Sequence, residues 1–136
     1  MLGDLIAAAL TAAGAALGDT ELVEDTLRLH APAALSLWRF TATEVELAGQ
    51  RLPARSPVLV DLRGLGTVHG ADLAFGSGPH YCPGAALARV ELLAAVRALR
   101  TEFPAARLAP GTRLRRVGPG GAVGEHLAEL PVILRP

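Results

Sequence analysis

The chain has 136 residues, 51% of them hydrophobic, and a formal net charge of zero. That composition allows one domain with a core, and it carries no charge excess to attract nucleic acid or an anionic membrane. All thirteen basic residues are Arg, and the single cysteine, Cys82, excludes an intramolecular disulfide and fits a reducing compartment.

In chain order, residues from Asp4 to Leu17 predict a helix with Gly14 as its weak point. The apolar run Ala7–Leu17 has no basic residue ahead of it, because the first is Arg28, so it does not read as a signal peptide. It is also too short to span a bilayer. It is expected to be a buried or partner-facing helix of a soluble, cytoplasmic protein. Gly18-Asp19-Thr20 breaks it and offers an N-cap to a second helix over Glu21–His30, which ends before Pro32. Within that helix Arg28 lies three residues after Asp25 and four after Glu24, spacings at which an ion pair forms; spacing alone would allow an ordinary surface pair.

Alternation and β-branched residues predict strands at Leu37–Thr41, Glu44–Leu47 and Val58–Asp61, with Ala48-Gly49-Gln50 as a hairpin turn. Arg63–Asp72 reads as a loop, with His69 solvated and without a role. After Gly84 good helix formers run to Glu102, and the low charge predicts a mostly buried helix ended by Phe103-Pro104. Beyond it, Arg107–Leu108, Leu114–Val117 and Pro131–Leu134 read as short strands, and Gly118-Pro119-Gly120-Gly121 as a loop.

Chemistry concentrates in Phe75–Glu91, where Cys82 stands between a glycine-rich loop and the helix. Gly76, Gly78 and Gly84 permit tight turns and close approach of another body. A cysteine just ahead of a helix N-terminus feels the positive end of the macrodipole, which favours thiolate. Thiolate on a stiff loop suits axial ligation of haem iron. An isolated cysteine is more often a small buried hydrophobe; six motif positions at fixed spacing turn the reading toward a ligand.

Phe75, Gly76, Gly78, His80, Cys82 and Gly84 form F-G-x-G-x-H-x-C-x-G, which resembles the haem-ligand signature of the cytochrome P450 family. Leu87-Ala88-Arg89 followed by Glu91 resembles the bacterial members. The resemblance implies an α+β fold, mainly helical: a partial cytochrome P450-like C-terminal half with a small antiparallel sheet. Its parts are helices over 1–34, a small sheet over 35–62, the ligand loop over 63–84, a helix over 85–103 and strands over 104–136, all in one truncated domain.

For function, the resemblance implies a haem-thiolate oxidoreductase acting as a monooxygenase, with haem b on Cys82. His80 and Arg39 would hold a propionate, and Phe75 would pack beside the sulfur. The helix with Arg28 resembles the family's E-x-x-R helix, with Asp25 at the usual Glu position and Glu24 as a second candidate partner. Only ten residues, Arg63–Asp72, stand where the family has a long meander, so the ion pair is expected to lack its third partner. The family's distal helix carries an acid–alcohol pair; Asp19-Thr20 is similar only superficially and reads as the N-cap. A second polypeptide supplying the distal half, and a redox partner, are therefore implied for activity. The alternative is a non-catalytic remnant serving as a haem-binding or protein-interaction module.

Overall fold

The computed structural model describes residues 1–69, 73–118 and 125–135. Three helices form the core: α1 (Leu2–Ala9), α3 (Asp19–Leu29) and α5 (Ala85–Glu102). Each packs on the other two. The most enclosed side chains are Leu5 on α1, Leu22 and Leu27 on α3 and Val96 on α5. Ala74 and Phe75, from the glycine-rich loop, join the same cluster.

The single N-terminal helix predicted over Asp4–Leu17 is two helices. A short α2 (Ala12–Ala16) folds back on α1 at a corner that Thr11 makes. The Thr11 hydroxyl donates to the Ala8 carbonyl (2.7 Å) and accepts the Gly14 N–H (3.0 Å), which caps α2. A Cβ at Gly14 would stand 1.9 Å from the Ala8 carbonyl oxygen, so only glycine allows this approach.

The N-cap of α3 is Gly18, without a side-chain bond, and Asp19 is already helical. The expected capping role of Gly18-Asp19-Thr20 is corrected accordingly. The Asp19 carboxylate instead receives Arg100 (2.5 Å) and Arg97 (3.5 Å) from α5. Arg100 also donates to the carbonyls of Gly14 (2.9 Å) and Leu17 (3.0 Å), satisfying the end of α2.

A further correction falls on the segment read as a loop from Arg63. Leu62–His69 is helix α4. Asp61 starts it, its side chain accepting the Gly64 N–H at 2.8 Å. Helix α5 is likewise less buried than expected. Ala85, Leu92 and Val96 are enclosed, whereas Leu87 and Val90 on another face are 63% and 64% exposed. Its few charges left an apolar face open instead of marking burial all round.

The strands are short antiparallel pairs. β1 (Arg39–Phe40) pairs with β4 (Pro57–Val58), setting Arg39 opposite Val58. β2 (Val45–Leu47) pairs with β3 (Gln50–Leu52) through Ala48-Gly49, whose φ angles of 51° and 76° suit a two-residue hairpin turn. Gln50, expected in the turn, begins the return strand. The expected Val58–Asp61 strand shrinks to β4 and an isolated bridge from Asp61 to Leu35. In the C-terminal part β5 (Arg107–Leu108) pairs with β8 (Val132–Ile133), and β6 (Arg116–Val117) with β7 (His126–Leu127). Residues 119–121 of the expected glycine loop lie outside the described residues. No described helix is long and apolar enough to cross a membrane.

Candidate functional site

The chain between the core and α5 is folded to hold Cys82 in place. The Gly76 N–H donates to the Leu73 carbonyl (2.9 Å), and Gly76 itself takes φ 77°, a left-handed turn that favours glycine. Gly78 repeats this at φ 71° and starts a 3-10 turn over Gly78–His80. The chain then returns alongside itself, and the Cys82 N–H donates to the Phe75 carbonyl at 3.0 Å. At the other side the Ala85 N–H donates to the Cys82 carbonyl (3.2 Å), joining the loop to the start of α5.

Cys82 is a free, half-buried thiol packed against the core cluster. A Cβ at Gly84 would stand 3.7 Å from Sγ, so glycine there leaves that side of the sulfur open. Phe75 is 9% exposed and seals the loop's inner side. The structure therefore brings Phe75, Gly76, Cys82 and Gly84 together. His80 closes the 3-10 turn with an exposed side chain, and Arg39 is exposed on β1. Among the described residues, no hydrogen bond joins the side chain of Arg39 or His80 to Cys82.

The donor set fits a haem-thiolate centre. It offers one free thiol, half-enclosed, on a loop fixed by backbone hydrogen bonds on both sides of Cys82, with glycine beside the sulfur.

Arg28 pairs with Asp25 and also donates to the Gly66 carbonyl of α4 at 3.2 Å. That carbonyl gives Arg28 a second hydrogen-bond acceptor, from α4, not a third charged partner for the ion pair. Glu24 turns away from Arg28: its carboxylate accepts Arg89 Nε of α5 at 3.0 Å.

No protein-family model matches the chain. It is 42% identical over 153 residues to the cytochrome P-450 monooxygenase DoxA of Streptomyces peucetius subsp. caesius, which takes in 98% of this chain and 36% of the relative. It is 34% identical over 128 residues to 2-hydroxy-5-methyl-1-naphthoate 7-hydroxylase of Streptomyces carzinostaticus, covering 82% of this chain and 31% of that protein. CYP154C4 from Streptomyces sp. W2061 matches with a TM-score of 0.80 at 29% identity, over 98% of this chain and 38% of that one. CYP154A1 from Streptomyces coelicolor A3(2) matches at 0.81 and 26%, over 98% and 40%. The chain belongs to the cytochrome P450 family. It spans about a third of the length of the curated relatives it matches.

Other polar groups of this P450 chain escaped the sequence reading. At the C-terminal end of α3, a cavity of about 140 Å³ is lined by Asp4, His30, Arg63, Arg116 and His126, among others. Arg116 pairs with Asp4 and lies 3.1 Å from His30 Nδ1. Burial opposes ionisation of Asp4. The N-terminal ammonium, Arg116 and His30 outweigh it and hold the carboxyl below its ordinary range. Burial, followed by the charges of Arg116 and Arg63, holds His30 below its ordinary range against the pull of Asp4. Asp4 and Arg116 are 112 residues apart, and no local spacing rule connects them.

Proposed function

We propose that the chain is the haem-thiolate portion of a P450 monooxygenase, with haem b held by Cys82. The observation that carries this is the free, half-buried Cys82 thiol on its glycine-cleared, backbone-bonded loop, in a chain of this family. Thiolate ligation supplies iron with the electron density that favours O–O cleavage. Cys82 is the ligand in this reading, and the Phe75 ring keeps water from the inner side of its loop. His80 and Arg39, both exposed and free to turn toward an anion, are assigned to the propionates as charge-assisted partners.

Complete turnover also needs a positioned proton donor and a dry distal pocket. We assign these to polypeptide beyond these 136 residues, and the supply of electrons to a redox partner. The presence of both Cys82 and His80 at their motif positions disfavours a purely structural remnant.

Absorption spectroscopy tests the ligand. Haem added to the chain should give a red-shifted, thiolate-type Soret band on reduction and exposure to CO. Cys82→Ser should abolish that band, and an unchanged spectrum in the variant overturns the assignment. With electrons from a generic reductase, the isolated chain should release peroxide with little oxygenated product. Tight coupling to product would overturn the assignment of the distal wall to other polypeptide.

A further inference from the structure

We propose that Arg89 is the positioning residue of the cysteine loop, one guanidinium that fixes both strands of the loop around Cys82 and ties them to α3. This rests on the haem-thiolate reading for its purpose, though its geometry does not. Among the described residues three contacts converge on Arg89. Its Nε donates to Glu24 Oε1 on α3 at 3.0 Å. Its Cζ lies 4.9 Å from the centroid of the Phe75 ring. Its Nη1 donates to the Tyr81 hydroxyl at 3.3 Å.

Those contacts bracket the thiol. Tyr81 is the residue immediately before Cys82, and Phe75 supplies the carbonyl that accepts the Cys82 N–H at 3.0 Å. The outgoing and returning arms of the loop are therefore gripped by the same side chain. A planar guanidinium can do this because its face meets a ring while its edge donates several hydrogen bonds. Lysine offers a point charge without that division of face and edge. Arg89 itself is rooted in α5, eight residues after Tyr81 in sequence, and its side chain is 27% exposed. Glu24 fixes the guanidinium from α3, the helix that also carries Asp25 and Arg28. Movement of α3 against α5 is thereby transmitted to the loop through one side chain.

The single cysteine makes the test specific. In the haem-free 136-residue chain, the rate of Cys82 modification by a neutral maleimide reads the loop's opening. Arg89→Leu should raise that rate roughly tenfold, equivalent to ~1.4 kcal/mol of lost anchoring. Arg89→Lys and Glu24→Gln should each raise it by a smaller factor and keep the fold. Arg97→Leu removes another α5 arginine that pairs with Asp19, and it should leave the rate unchanged. With haem, the same order should appear as broadening or loss of the thiolate-type ferrous–CO band, with Arg89→Lys partly restoring what Arg89→Leu loses. Equal maleimide rates for wild type, Arg89→Lys, Glu24→Gln and Arg97→Leu overturn the proposal. A wild-type chain without the thiolate band removes the haem reading instead, while the maleimide comparison still decides the role of Arg89.

Discussion

The helical side and the strand side of this chain are built differently. Every enclosed hydrophobic residue among those described lies on α1, α3 or α5 or in the segments at Ala31 and Ala74–Phe75. The strands contribute none. Leu37, Trp38 and Phe40, in and beside β1, are 83%, 64% and 65% exposed. Polar bonds hold that side together: the Thr41 hydroxyl donates to the Pro53 carbonyl (2.6 Å) and accepts the Ser56 N–H (2.9 Å). Burial stabilises the first region and local hydrogen bonding shapes the second, so the two should respond differently to the same kind of damage.

The largest contrast comes from truncating one apolar side chain on each side. Leu27→Ala, at a fully enclosed position, should cost about 3 kcal/mol of stability. Trp38→Ala should stay within about 0.5 kcal/mol of wild type. Chemical denaturation followed by far-ultraviolet circular dichroism measures both; the exposed Trp38, the only tryptophan, is a poor reporter of the core. Equal losses would show that strand-side aromatics carry stability after all.

A smaller effect is expected where the core is linked to α4. Arg28→Ala removes the Asp25 pair and the bond to Gly66, both half-exposed, and should cost about 1–2 kcal/mol. Arg135→Ala, on the exposed tail, should cost nothing measurable. Matching melting temperatures for the two variants would make the Arg28 cluster a surface feature.

The smallest expected effect is a pH dependence at the end of α3. His30 and Asp4 both have folded-state values below their ordinary ones, so the unfolded chain binds more protons. Their contribution is present above the ordinary values of 6.5 and 3.8 and is lost as pH falls through the lowered ones. Melting temperature should fall by on the order of a few °C on acidification below the ordinary His30 value. His30→Gln should remove that first stage and leave the later one that belongs to Asp4. A wild-type profile flat down to the carboxylate range would dismiss the His30 contribution.

The cysteine loop and α5 were legible in sequence because glycines, a lone cysteine and a run of helix formers are local signals. The break between α1 and α2 was hidden because Thr11 and Gly14 act through a backbone approach, and neither is a strong stop by itself. Helix α4 was missed because Gly64 and Gly66 lower its propensity, while packing on α3 outweighs them. β7 is two residues long and takes its place from β6. At the candidate site the cysteine stood out by its motif, but the partner of Glu24 did not: Arg89 stands 65 residues away. The fixed spacing of a helix pointed Glu24 to Arg28, and tertiary geometry sent it elsewhere.

The Arg100–Asp19 contact closes a circuit of 81 residues through the strands, α4 and the cysteine loop. Chain entropy changes only with the logarithm of such a circuit's length, so adding about twenty residues to it costs roughly 0.2 kcal/mol. The ten-residue Arg63–Asp72 connection is therefore no thermodynamic handicap through its length alone. What a longer or shorter connection must preserve is a carbonyl within reach of Arg28, the place Gly66 fills.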